Sequence, residues 1–324
     1  MVHQPVRLPC HALSLDRLGL VYALAAYVWW GLVTGVYFKA VDFAEPLELL
    51  ALRVLTGLPL LLAFLSIRSG GMRNLVLLIR SQPIAVLVAG ALIGLNWGTF
   101  IYAVVSSRLT EASLGYYINP LLSVLLGVFV LGESMSPRRW FALVVAFVGA
   151  LVFASDFEVS SLLQAGQLME LPWIVVVLPL SFGLYGLAKK KTKADPFTSL
   201  AGEMLMLLPV LGLLEWWLFQ QGRAVWFSAD SQQMSALWVG GIVTIVPLLF
   251  FSASAKRLPL SVVGLMQYIA PTLQFMLAVL FFGEDLSERR VIAFAMVWSS
   301  VLIFICSSEK KKYLGVGEGR GREE

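Results

Sequence analysis

The sequence predicts an all-α membrane protein of ten transmembrane helices, arranged as two inverted five-helix repeats. Three observations predict it: apolar runs of bilayer length from Leu18 to Cys306, a one-sided distribution of basic residues, and an internal repeat. The spans are expected at 18–38, 46–67, 83–105, 111–131, 139–155, 172–188, 197–219, 235–253, 259–282 and 289–306.

Composition supports the first observation. The 324 residues are 59% hydrophobic and only 14% charged, where a soluble domain carries nearer a quarter charged residues. Lipid offers no partner for backbone N–H and C=O groups, so runs this long must be helices. Polar stretches mark the boundaries, chiefly 68–80, 156–170, 189–195 and 220–233. Lys189 to Lys193 read as a solvated anchor. The two cysteines, Cys10 and Cys306, sit far apart, and both histidines, His3 and His11, lie in the N-terminal tail. No small-residue cleavage site follows a short apolar core, so the first helix is expected to be retained.

Loop charge sets the orientation. With the N-terminus inside, the cytoplasmic side receives Arg7, Arg17, Arg68, Arg73, Arg80, Arg138, Arg139, the 189–193 lysines, Lys256, Arg257 and the basic C-terminal tail. The outside receives only Lys39, Arg108, Arg223, Arg289 and Arg290. The positive-inside rule then puts both termini in the cytoplasm of a multi-pass protein in a bacterial inner membrane.

The repeat appears when Tyr117-Ile118-Asn119-Pro120 is placed over Tyr268-Ile269-Ala270-Pro271. The register holds through Gly132-Glu133 over Gly283-Glu284 and Arg138-Arg139 over Arg289-Arg290, while Pro46, Arg53 and Pro59 fall over Pro196, Glu203 and Pro209. Such identity exceeds what shared hydrophobicity supplies. The expected organisation is a tail at 1–17, repeats at 18–155 and 172–306, and a tail at 307–324. An odd number of spans per unit inverts the second copy, the arrangement suited to alternating access.

Tyr27 to Lys39 (YVWWGLVTGVYFK), Glu48 to Arg53 (ELLALR), Asn96 to Val104 (NWGTFIYAV) and Glu111 to Glu133 (EASLGYYINPLLSVLLGVFVLGE) resemble the RarD group of the EamA-type drug/metabolite transporter superfamily. The resemblance covers nearly the whole chain, and EASLGYYINP is its specific part. It implies ten helices and export or exchange of small metabolites or drugs. The group is linked by name to chloramphenicol sensitivity. In the second half Ala270 stands opposite Asn119 and Met266 opposite Gly115, so identical ligand groups from both halves are not expected.

Several residues could carry chemistry. Arg53 lies roughly 10 Å along its helix from Pro46, and an intramembrane arginine is costly unless paired or facing a wet cavity. Either it faces such a cavity or it snorkels. Glu203, its repeat partner, is either a proton-coupling carboxylate or a structural counter-ion; Glu48, nearer the interface, is expected to be solvated. Pro120 and Pro271 each remove a backbone donor, freeing carbonyls near Tyr116 and Gln267. Interrupted helices at matching positions in two halves point to a midplane site. Asn96, Trp97, Tyr102, Tyr117, Asn119, Gln267 and Trp30 complete the candidates, as binding groups or as packing. Glycine pairs such as Gly90/Gly94 have close-approach spacing. Thr110 reads as a helix cap, with Glu111 in the first turn.

No GxxxxGK[ST] loop for a pump and no HExxH metal pair for an enzyme is present, and one Arg with one Glu does not make a channel's charged ring. The expectation is a secondary transporter exporting or exchanging small molecules, with uptake exchange of an anionic or adenosyl-type metabolite as the alternative. It expects no cofactor, no metal and no nucleic acid. The expected partners are the bilayer and a small-molecule substrate; a coupling proton and a homodimer remain compatible.

Overall fold

The computed structural model describes residues 16–106, 108–156, 173–282 and 287–307. They form helices α1 (Arg17–Ala40), α2 (Pro46–Ile67), α3 (Gly71–Ser81), α4 (Pro83–Val105), α5 (Leu109–Leu131), α6 (Pro137–Asp156), α7 (Trp173–Lys191), α8 (Pro196–Gln220), α9 (Ser231–Arg257), α10 (Leu260–Met266), α11 (Ile269–Phe282) and α12 (Glu288–Cys306). Among the described residues, eight segments, with α10 and α11 counted together, are long and apolar enough to cross a membrane. The remaining long helices, α6 and α12, begin with Arg138-Arg139 and Glu288-Arg289-Arg290, which dilute their apolar character. The expected segment at 156–170 lies largely outside the described residues, as do Gly283-Glu284 and most of both tails.

Prolines and caps set the helix starts. Pro46, Pro83 and Pro196 occupy first turns, where a missing N–H costs nothing. Asp195 caps α8 through the N–H groups of Phe197 and Thr198, and Asp230 with Gln233 forms a reciprocal capping box on α9. Helix α5 starts at Leu109 with Arg108 in the cap position, not Thr110 as expected; Arg108 ion-pairs with Glu111 at 2.6 Å. The segment 68–80, expected as a polar connection, contains α3, because Leu75 and Leu78 fall on one face and bury it.

Helix α1 packs on α9, α2 on α8 and α9, α4 on α7 and α8, α5 on α7 and α10, and α6 along α12. A central core gathers around Tyr27, Ala51, Tyr185, Leu200 and Phe251, and a second around Tyr117, Phe153, Tyr268 and Phe294. Large apolar residues such as Val21, Ile84, Phe147, Val176 and Leu213 stand exposed on the outer faces. Exposure of this extent suits hydrocarbon as the surrounding medium.

The tightest crossing joins α2 and α9. A methyl group added to Gly241 would lie 2.6 Å from the backbone nitrogen of Gly57 and 2.8 Å from its Cα. Backbone cannot yield as a flexible side chain can, so Gly241→Ala must push the helices apart. The expected cost is about 1–3 kcal/mol, seen as a lowered unfolding temperature in detergent. An unchanged transition would contradict this contact.

Candidate functional site

The two proline-bearing helices behave differently. Pro271 cannot donate to the carbonyl of Gln267, and the helix breaks there into α10 and α11. The carbonyl of Gln267 instead accepts the tighter Ala270 N–H bond at 3.2 Å. Helix α5 runs unbroken through Pro120, contrary to the expected matching interruption. Neighbouring helices support the proline there, as is common inside membranes. The Tyr268 hydroxyl donates to the Tyr117 carbonyl at 3.2 Å, and Gly264 lets α10 lie against the Pro120 carbonyl.

Beside the break lies a cavity of about 310 Å³. Trp30 and Thr34 of α1, Arg53 of α2, Asn96 and Trp97 of α4, Tyr116 and Asn119 of α5, Phe182 of α7, Thr244 of α9, and Gln267, Pro271 and Gln274 all contribute. The lining positions run from the bundle end that carries segments 41–45 and 221–230 to about the middle of the helices.

Arg53 is the charged side chain of this lining among the described residues. Its guanidinium sits 5.2 Å from the Trp97 ring centroid and 5.6 Å from that of Phe38, and its Nε donates a long 3.4 Å bond to the Leu49 carbonyl. At a partly exposed side chain each such cation–π contact contributes about 0.5–1 kcal/mol. Among the described residues no carboxylate pairs with it. Two further polar atoms are buried and lack hydrogen-bond partners, Oδ1 of Asn119 and Oε1 of Gln267. Asn96 is committed elsewhere: its Nδ2 donates to the Leu178 carbonyl at 2.9 Å and to Ser181 Oγ at 3.1 Å, tying α4 to α7.

Glu203 does not join Arg53. It is buried in the opposite half of the bundle and accepts from Lys189 Nζ at 2.7 Å, Ser199 Oγ at 2.7 Å and the Tyr185 hydroxyl at 3.0 Å. Lys189 is fully buried, which corrects its reading as a solvated anchor. Its charge can be buried because a carboxylate one helix away satisfies it. Around this pair Tyr185 stacks on Phe251 within the central core, so the charges sit among packed apolar side chains. Glu48 is likewise buried and not solvated, since the 221–230 segment folds over it and the Trp226 N–H donates to it at 2.7 Å.

Two other candidates fall outside the cavity. Tyr102 is exposed against Trp173, 5.2 Å between centroids. Tyr117 is buried in the second core, stacked on Phe153 at 3.8 Å. The neighbouring Tyr116 lines the cavity instead, and so do Thr34 and Gln274, which sequence reading missed. A signal for Tyr116 existed, because Asn119 lies three residues on and therefore shares its helix face. For Gln274 the signal was an amide inside an apolar run; what periodicity does not reveal is its setting, where Nε2 donates to the Trp30 carbonyl at 3.1 Å beside a π-turn at Trp29–Val33.

Glu133 enters the sequence reading only through the repeat register and the family stretch. Gly132, at φ +69°, ends α5 and lets the chain double back. Glu133 then accepts from the Leu260 N–H at 2.6 Å and from the Ser261 N–H and hydroxyl at 3.0 and 2.6 Å. One carboxylate thus caps α10 and ties the first half of the chain to the broken helix of the second.

Known proteins share this sequence pattern and fold. The EamA-like transporter family model matches residues 17–155 and again 171–306. Protein RarD of Streptomyces exfoliatus is 39% identical over 291 residues, 89% of this chain and 88% of that protein. Protein RarD of Escherichia coli strain K12 is 38% identical over 293 residues, covering 89% and 94%. One crystal structure, 18% identical, superposes with a TM-score of 0.68 over 90% of this chain and 98% of its own, a likeness of fold. Two family matches in tandem, with close relatives along nearly the full length, make this chain a multi-pass membrane protein of the EamA-like transporter family, in its RarD group.

Proposed function

We propose that the protein is a secondary transporter that carries a small molecule across the bacterial inner membrane by alternating access, with the Arg53 cavity as the substrate site. The observation that carries this reading is the asymmetry of the bundle. One half holds a cavity reaching to mid-depth, and the other is closed by the buried Lys189–Glu203 pair. Placed by the positive-inside rule, the cavity faces outward and the seal lies on the cytoplasmic side.

The helix contacts support ten spans in two inverted repeats, and the distribution of basic residues supports cytoplasmic termini. Numbering the spans in order, α2 pairs with α8, the α5 span with the α10–α11 span, and α6 with α12, each span meeting its own repeat counterpart. The α1–α9 contact has its counterpart in α4–α7, and α2–α9 in α4–α8. Contacts that recur in this way under exchange of the two halves would allow the cavity and seal to trade sides at small cost.

The test is accessibility under turnover. Ser113 lines the cavity and is replaced by cysteine, with Cys10 and Cys306 changed to serine. A membrane-impermeant maleimide is expected to label it from outside in whole cells, and a counterflowing substrate to slow that labelling several-fold. Labelling only from the cytoplasmic side would reverse the assigned orientation. Labelling unaffected by every substrate of a radiolabelled metabolite and drug panel, chloramphenicol included, would remove the carrier reading.

A further inference from the structure

We infer that the cavity's substrate is a small organic anion with a planar body and at least one N–H or O–H donor. This rests on the cavity being the transport site. Three features of the lining specify it, each supplying one part of the ligand.

The first is Arg53. Its guanidinium presents a fork of donors matched to a carboxylate, yet among the described residues it meets only ring faces and one long bond to its own helix. Closing the cavity around an unpaired guanidinium would strand a charge in low dielectric, where burial is heavily penalised. A bound carboxylate removes that penalty. A bound cation would add to it, and an uncharged ligand would leave it unchanged.

The second feature is the pair of orphan acceptors. Asn119 is 4% exposed and Gln267 7%, and each turns a carbonyl oxygen without a partner among the described residues. Both residues line the cavity, one from each half of the chain, so a ligand donor that reached either oxygen would supply its missing partner. A buried acceptor left unmatched costs about 1–3 kcal/mol, so a ligand lacking the donor is selected against.

The third feature is the wall. Trp30, Trp97, Phe100, Tyr116 and Phe182 line the same cavity, and flat faces favour a flat ligand body.

Four compounds of nearly one shape separate these requirements: 4-hydroxyphenylacetate, its uncharged analogue tyrosol, its cationic analogue tyramine, and phenylacetate, which lacks the hydroxyl. Binding to the purified full chain is read by tryptophan fluorescence quenching. 4-Hydroxyphenylacetate is expected to bind at least tenfold more tightly than tyrosol or phenylacetate, and tyramine not measurably. Arg53→Gln is expected to erase the preference for the anion. Asn119→Ala, which leaves the charge site alone, is expected to narrow the gap between 4-hydroxyphenylacetate and phenylacetate while keeping the preference for the anion. Equal or tighter binding of tyrosol or tyramine overturns the proposal, as does failure of all four to bind. The two readings fail separately: Arg53-dependent anion binding without vesicle flux would defeat transport alone, and flux of tyramine or tyrosol would defeat the anion alone.

Discussion

Replacing Arg53 with alanine is expected to lower transport at least a hundredfold while the protein still inserts and folds. The guanidinium faces a cavity and no carboxylate depends on it among the described residues, so its removal leaves no stranded partner. Loss of two cation–π contacts costs the fold little beside its total apolar burial. Arg53→Lys is expected to restore little. An ammonium keeps the charge but not the planar fork or the stacking on Trp97. Flux into proteoliposomes, set beside the elution profile of each variant in detergent, decides it. Normal flux in Arg53→Ala would mean that the arginine only braces α2 against Phe38 and Trp97.

The second large effect is expected at the seal, with opposite signs for single and double replacements. Lys189→Met strands the Glu203 carboxylate, and breaking such a buried pair costs about 3–5 kcal/mol. The sealed state should lose that amount, while a state open to the cytoplasm, where water solvates Glu203, should not. Labelling of Ser113→Cys from outside is then expected to fall. The double variant Lys189→Met with Glu203→Leu fills the seal with apolar groups and should stabilise it by about 1–4 kcal/mol. Its labelling should persist while transport stops, because opening would now expose apolar surface to water. A buried ion pair suits a two-state carrier, since its charges are comparably satisfied by each other or by water. Equal labelling in all three proteins would show that the pair holds the fold and not a gate.

This assignment bears on the two readings the sequence left open for Glu203. Its alignment over Arg53 in an inverted repeat left it as a proton-coupling carboxylate or a structural counter-ion, with no direct pairing to Arg53 implied. The structure engages both carboxylate oxygens with Lys189, Ser199 and Tyr185, and Glu203 is absent from the cavity lining. Inversion explains the separation, because equivalent positions in oppositely oriented repeats lie at mirrored depths.

The sequence by itself determined the helices and the kinship. Apolar runs set their own helices because each must satisfy its backbone locally in lipid. The expected ranges accordingly fall on helices whose ends differ by a few residues, with 46–67 and 83–105 unchanged. The EASLGYYINP stretch pointed to the family that the tandem match then showed. Arg53, Trp97, Asn119, Gln267 and Trp30 were also legible, because charges, amides and aromatics stand out inside an apolar run.

What tertiary structure decided was which of these groups meet. Tyr116 and Tyr117 are adjacent and chemically alike, but a turn of about 100° between them sends one to the cavity and the other into the second core. Lys189 looked like one more basic loop residue until α8 placed Glu203 beside it, and Glu133 was only a repeat position until α10 began at its carboxylate. Pro120 and Pro271 share a motif, yet only the second breaks its helix, where the freed Gln267 carbonyl takes the Ala270 N–H in a tighter turn. Span, register and repeat are one-dimensional properties written along the chain. Burial and pairing of polar groups depend on which helices cross, and that is settled only when the bundle closes.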